Sequence, residues 1–172
     1  MNHDWLFYRD SVRDSDKEQV RRIVESSGFF SPCEVEVAVE LVEERLTKGT
    51  KSGYHFLFAE QSGMVVGYIC FRPIACTTTS YEIFWIAAQK NFLRRGIGRE
   101  LLQRSECAIA QSGGRRIYIE TSSRKQYAPS RLFYEACGYQ QEAILNDFYS
   151  PGDAKIIYVK ASQGINPTSG EK

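Results

Sequence analysis

The sequence predicts an α/β domain of the α+β kind, a mixed sheet with helices on its faces, and three observations predict it. The apolar residues recur with a helical period up to about residue 49 and with a strand-like period after it. Capping residues and glycine stops bracket helices of ordinary length. The resulting order, β-α-α-β-β-β-α-β-α-β-β, holds about seven strands and about four helices, an alternation that packs helices against a sheet.

Taken in order, a short apolar segment around WLFYR comes first. Ser15 with Glu18 then reads as a capping box opening a helix toward RRIVESSG. Ser31 with Glu34, and Pro32 at the first helical position, opens a second. Its stripe of Val35, Ala38, Val39, Val42 and Leu46 ends near Gly49. YHFLFAEQ, MVVGYICFR and YEIFWIAA are rich in β-branched and aromatic residues, and Ser62-Gly63 reads as a hairpin turn between the first two. A helix with Leu101, Leu102, Ser105, Ala108 and Ile109 on one stripe follows and stops at Gly113-Gly114. RRIYIETS is a strand and PSRLFYEACG a short helix, with Pro129 near its start and Gly138 past its end. YQQEAILNDFY and DAKIIYVKA close the order around the turn SPGD.

A length of 172 residues suits one domain, expected over residues 1–160, with residues 161–172 a disordered tail that has almost nothing to bury. A net charge of +1 gives no general attraction to nucleic acid or to membranes, so any anion site must be local. The start of the chain does not read as a signal peptide, and no apolar run is long enough for a membrane span. Five cysteines without a CxxC pair, and only two histidines, argue against a zinc site or a disulfide framework. They are expected as reduced thiols in a cytoplasmic protein, mostly as small core residues.

The stretch FLRRGIGRELLQRSE, residues 92–106, sets two arginines and two glycines in front of an amphipathic helix. Glycines at 96 and 98 permit tight or positive-φ backbone, so the N–H groups of Arg94 to Arg99 can converge at the helix N-terminus, where an anion is favoured. A P-loop would need Gly-Lys-Ser/Thr, which is absent.

The surroundings narrow the choice. EIFWIAAQKNFLRRGIGRELL resembles the acyl-CoA-binding motif of the GNAT superfamily of N-acyltransferases, and RLFYEACGY resembles its second signature. The resemblance covers about residues 55–160. It implies a mostly antiparallel sheet splayed at the acyl-CoA site, with acetyl-CoA as cosubstrate and no metal. Leu93 stands where the family has Gln or Arg, with Arg94 and Arg95 next to it, and Tyr127 stands in place of an Asn near the pantetheine arm. By the resemblance, backbone donors of Arg94, Arg95, Gly96, Ile97, Gly98 and Arg99 hold the pyrophosphate. The backbone of Ile86, Ala87 and Ala88 pairs with the pantetheine arm.

Acyl transfer to an amine needs a base, a stabilised oxyanion and a protonated leaving thiolate. The resemblance offers Glu82 and Glu120 as bases and Tyr134 as the proton donor. By alternation Glu82 shares an apolar face with Phe84 and Ile86, which would raise its pKa. The last helix is expected to bury Leu132, Phe133 and Ala136 and to leave Tyr134 facing the cofactor. Phe29 and Phe30 lie where the superfamily often binds substrate, although an aromatic beside a helix start is as often a hydrophobic staple. The expectation is an N-acetyltransferase acting on a primary amine of a small molecule or peptide in a ternary complex, with neither nucleic acid nor membrane as partner. The family also allows a homodimer through the last strands. The rivals are a CoA-binding module without turnover, which the joint presence of Glu82, Glu120 and Tyr134 argues against, and a nucleotide-binding domain, which lacks its Walker lysine.

Overall fold

The computed structural model describes residues 6–162. Seven strands, β1 (Phe7–Arg9), β2 (His55–Gln61), β3 (Met64–Pro73), β4 (Ser80–Ala88), β5 (Arg116–Ser122), β6 (Gln140–Ser150) and β7 (Asp153–Ala161), form one sheet in the order β1-β2-β3-β4-β5-β7-β6. Four helices, α1 (Asp16–Ser27), α2 (Pro32–Lys48), α3 (Ile97–Gln111) and α4 (Ala128–Ala136), join it, so the expected element order holds. Of the disordered tail expected over 161–172, Ala161 belongs to β7, and residues 163–172 lie outside the described residues.

Every neighbouring pair of strands is antiparallel except β4 and β5. The β2–β3 hairpin turns on Ser62 (φ 50°) and Gly63 (φ 81°), the two positive φ values that match the twist of its strands. Each sheet face has its own core. Val20, Ile23 and Val24 of α1 pack with Val35, Ala38 and Val42 of α2 against Phe56, Phe58, Tyr68 and Cys70. On the other face Ile97, Leu101, Leu102 and Ile109 of α3, with Tyr134 of α4, pack on Ile69, Ile83, Ile117 and Ile119.

Two local expectations change. Ser31 and Glu34 form the expected capping box, but Ser15 sits in helical backbone and caps nothing with its side chain. Ser15 already has helical φ and ψ, and Asp16 instead closes the preceding turn: its Oδ2 accepts from Arg13 N at 2.8 Å while the carboxylate also binds Arg9. The cysteines are not mostly core; only Cys70 is buried, whereas Cys33, Cys76 and Cys107 are exposed and Cys137 is half-buried.

Candidate active site

The site begins where two parallel strands part. β5 pairs with β4 only over Ser80–Ile83, opposite Arg116–Ile119, although β4 runs on to Ala88. Ile86, Ala87 and Ala88 keep their β3 partners Ile69, Tyr68 and Gly67 and turn their other edge to the gap. Such an edge can receive an extended ligand arm as an added strand.

A bulge at the same level rotates the strand. Cys70 pairs with Trp85 but Phe71 pairs with Ile83, which leaves Phe84 as the extra residue. Phe84, Trp85 and Ala87 then pack toward α1 and α2, while Tyr81, Ile83, Ile86 and Ala88 pack toward α3 and α4. The expected shared face of Glu82 with Phe84 and Ile86 is therefore half corrected: Glu82 keeps Phe84, and Ile86 lies on the opposite face. Simple alternation fails there because a bulge adds one residue to the count.

The glycine turn lies directly beyond β4. Arg94 (φ 60°) and Gly96 (φ 81°) reverse the chain, and Gly96 is the N-cap of α3. Having no side-chain oxygen, Gly96 leaves the first-turn N–H groups of Ile97, Gly98 and Arg99 without a side-chain cap. Uncapped donors together with the helix dipole make an anion site. Arg94 and Arg95 are exposed beside it. Arg95 rests over the Phe92 ring at 5.1 Å, and Arg99 Nη2 donates to the Ala136 carbonyl at 3.4 Å. The Ile97 side chain is buried, so only its backbone is available to a ligand. Gly98 differs from expectation: its φ is not positive, and a Cβ there would make only an ordinary 3.4 Å contact with Phe133 Cζ.

The two glutamates come together on the α1/α2 side of the sheet, on neighbouring strands, but in different company. Arg72, which pairs with Glu82 across β3 and β4, brings Nη2 to 3.6 Å from Glu82 Oε1. Burial raises the Glu82 pKa, Arg72 opposes the rise, and the charge of Glu120 adds to it. Glu120 is more exposed and is held by Lys155 Nζ at 2.5 Å. Lys155 in turn sits 3.8 Å above the Phe148 ring. Burial, and then the Glu120 charge, pushes the Tyr149 hydroxyl up to about 12.

Tyr134 is on the opposite side. The expectation for α4 is reversed here: Leu132 is 65% exposed and Ala136 is exposed, Phe133 is half-buried, and Tyr134 is the buried residue of the helix. With only nine residues, α4 meets the sheet along a narrow line, and the Tyr134 ring fills it, against Tyr158 at 5.9 Å and Tyr139 at 6.3 Å. The same apolar cluster contains Ile86, Ala88 and Ile119, which flank the strand gap. Burial drives the Tyr134 pKa up, so the phenol stays protonated. A carboxylate thus lies on one face of the sheet just before the strands part, and a protonated phenol lies on the other face.

Phe29 and Phe30 divide. Phe29 is 47% exposed, and its carbonyl accepts from Gln126 Nε2 at 3.1 Å. Phe30 packs on Trp85 at 4.8 Å and faces Tyr127 at 6.4 Å. The α1–α2 loop is thereby tied across the end of the sheet to the segment before α4. Tyr127, in the place of the family's Asn, forms part of this aromatic wall.

A family model described as the acetyltransferase (GNAT) family matches residues 18–139. The chain belongs to the GNAT family. A GNAT-family structure from Desulfovibrio desulfuricans shares 43% identity at a TM-score of 0.90, covering 91% of this chain and 99% of that one. An aminoglycoside 6'-N-acetyltransferase complexed with coenzyme A shares the fold at 18% identity and a TM-score of 0.71, covering 91% of this chain and 96% of that one. The ribosomal-protein-S18-alanine N-acetyltransferase of Escherichia coli does so at 16% identity and a TM-score of 0.71, covering 97% and 99%. No curated protein matches the chain at a significant level.

Among the residues of this GNAT site, three escaped the sequence reading. Arg72 and Lys155, which set the charge around the two glutamates, come from β3 and β7, and no local spacing links them to the motif. Gly67 did carry a signal, a glycine inside a strand. A Cβ there would lie 2.8 Å from Ile97 Cγ2 and 3.2 Å from the Ala87 carbonyl.

Proposed function

We propose that this GNAT protein is an N-acetyltransferase that moves an acetyl group from acetyl-CoA to a primary amine of a small molecule or peptide, by direct transfer in a ternary complex. The observation that carries the reading is the gap between β4 and β5, with Glu82 on one face and Tyr134 on the other. These residues fit the cosubstrate. The uncapped α3 N-terminus, with Arg94 and Arg95, suits the pyrophosphate, and the free edge of Ile86–Ala88 suits the pantetheine arm. Acetyl-CoA supplies the activated acyl group. Glu82 takes the proton of the attacking amine, directly or through water, and Tyr134 gives a proton to the departing sulfur.

Glu82 is the main base, since Glu120 is already engaged by Lys155 Nζ at 2.5 Å. A raised carboxylate pKa places the loss of rate on the acid side: activity falls as pH drops through the Glu82 pKa and is full above it. The test is thiol release from acetyl-CoA across an amine panel that includes aminoglycosides and peptides beginning with alanine, the acceptors named for the two fold neighbours. Glu82→Gln should lower the rate by roughly 10²–10⁴-fold, with CoA affinity held, and Glu120→Gln should do less. A larger loss from Glu120→Gln reverses the ranking. CoA binding without turnover of any amine favours the module reading.

A further inference from the structure

The bulge in β4 places an arginine beside the proposed base in a way the acyltransfer motifs do not require. Arg72 and Glu82 are direct cross-strand partners. The Arg72 guanidinium lies 5.1 Å from the centre of the Tyr54 ring and 4.6 Å from that of Phe84, two rings that meet edge to face at 5.4 Å. Its Nη1 also donates to the Tyr54 hydroxyl at 3.1 Å. Phe84 reaches it because, two residues along β4 from Glu82, it lies on the same face of the sheet. Tyr54, through its ring and its hydroxyl, and Phe84 thus restrain the Arg72 head group.

The distance matters as much as the grip. Arg72 Nη2 stands 3.6 Å from Glu82 Oε1, beyond hydrogen-bond length but close enough for strong Coulomb attraction. The carboxylate gains the favour of a positive charge while its lone pairs remain open to a proton. Glu120 shows the contrast, because Lys155 Nζ donates a hydrogen bond to its Oε2 at 2.5 Å.

We propose that Arg72 is a positioning residue for Glu82: held against Tyr54 and Phe84, and too far from Glu82 to form a hydrogen bond with it, it keeps a half-buried carboxylate ionised beside the β4–β5 gap. The inference rests on the reading of Glu82 as the base. The other groups around the pair are Glu120 and Tyr118 from β5, Lys155 from β7, Cys70 from β3, and Glu44 of α2, which acts on Tyr54. Burial and the Glu120 charge oppose the ionisation of Glu82, and among the charges that support it Arg72 acts more strongly than Lys155. Cys70 is buried with its thiol pKa pushed up and stays neutral.

The experiment is a carbon-detected NMR titration of the Glu82 side-chain carboxyl in the full chain, assigned with Glu82→Gln. In Arg72→Met the midpoint should rise by about one pH unit, as expected when an opposite charge a few ångströms away is removed. Arg72→Lys should recover part of the shift, and Tyr54→Phe should move the midpoint in the same direction by less. A midpoint unmoved in Arg72→Met overturns the proposal. Should that variant fail to fold by circular dichroism, an unmoved midpoint in both Arg72→Lys and Tyr54→Phe overturns it instead. A second arm follows kcat/KM against pH with the best amine of the panel, and its acid limb should move with the NMR midpoint. If the midpoint moves and the limb does not, the Arg72–Glu82 coupling stands and the assignment of Glu82 as base fails.

Discussion

Tyr134 shows how a single side chain can serve both packing and chemistry. Its ring is part of the α4 core and its hydroxyl is a separate donor, so the two roles separate on substitution. Tyr134→Phe keeps the ring and removes only the donor. The melting temperature and CoA affinity should hardly change, while kcat falls at least about tenfold, roughly 1.4 kcal/mol of barrier. The loss belongs in kcat rather than KM because the proton is needed only as the thiolate leaves. Steady-state kinetics beside a thermal melt checks it, and a Tyr134→Phe enzyme as fast as the parent assigns this tyrosine to packing alone. The identity of this residue was legible in the signature RLFYEACGY. Its burial was not, because a nine-residue helix has too few turns for its apolar pattern to show which side meets the sheet.

At the level of elements, the anion site depends on a turn and on the strand beneath it. Gly96 has φ 81°, a conformation that a β-branched residue adopts only with strain. Gly96→Val should therefore leave a folded protein whose CoA binding is lost by calorimetry; undiminished affinity would remove the loop from the site. Gly67 acts one layer below. Its missing side chain lets Ile97, the first residue of α3, lie directly on β3, and a methyl group there would come within 2.8 Å of Ile97 Cγ2. Ile97 is itself buried and has little room to retreat. Gly67→Ala should thus destabilise the fold by about 1–3 kcal/mol, the usual range for overpacking. It should also weaken CoA binding, because the α3 N-terminus must shift. Gly98→Ala is the control, since its Cβ would meet Phe133 at an ordinary distance, and stability should hardly change. Equal effects of the Gly67 and Gly98 substitutions would show that the seat of α3 is not what aims the turn.

Across the whole molecule, the sequence shows the elements more readily than it shows how far they pair. Periodicity and turn chemistry mark helices and strands locally, and the Ser62-Gly63 hairpin, the Ser31 box and the RRGIG turn were readable for that reason. How far β5 follows β4, and which cations sit beside Glu82 and Glu120, depend on contacts between residues tens of positions apart. The sheet's first edge depends on such contacts as well. Arg9 on β1, 6% exposed, is bound by Asp16 of α1 at 2.5 Å and by Glu60 of β2 at 2.6 Å. A strand of three residues has little packing of its own, so this buried triad is what fastens β1 and the start of α1 to the sheet. Asp16→Asn removes one charge and leaves the guanidinium under-compensated in a nearly dry site. Breaking a buried pair in this way costs about 3–5 kcal/mol. The urea midpoint should fall sharply with little change in slope. Glu18→Gln, which removes the exposed partner of Arg22 at 3.3 Å, should hardly move it. Thiol-release activity per folded Asp16→Asn molecule should stay near that of the parent, because β1 lies three strands away from β4 and the gap where the chemistry takes place. A midpoint shift no larger than that of Glu18→Gln would mean that burial of the apolar residues around it, and not the triad, holds that edge closed.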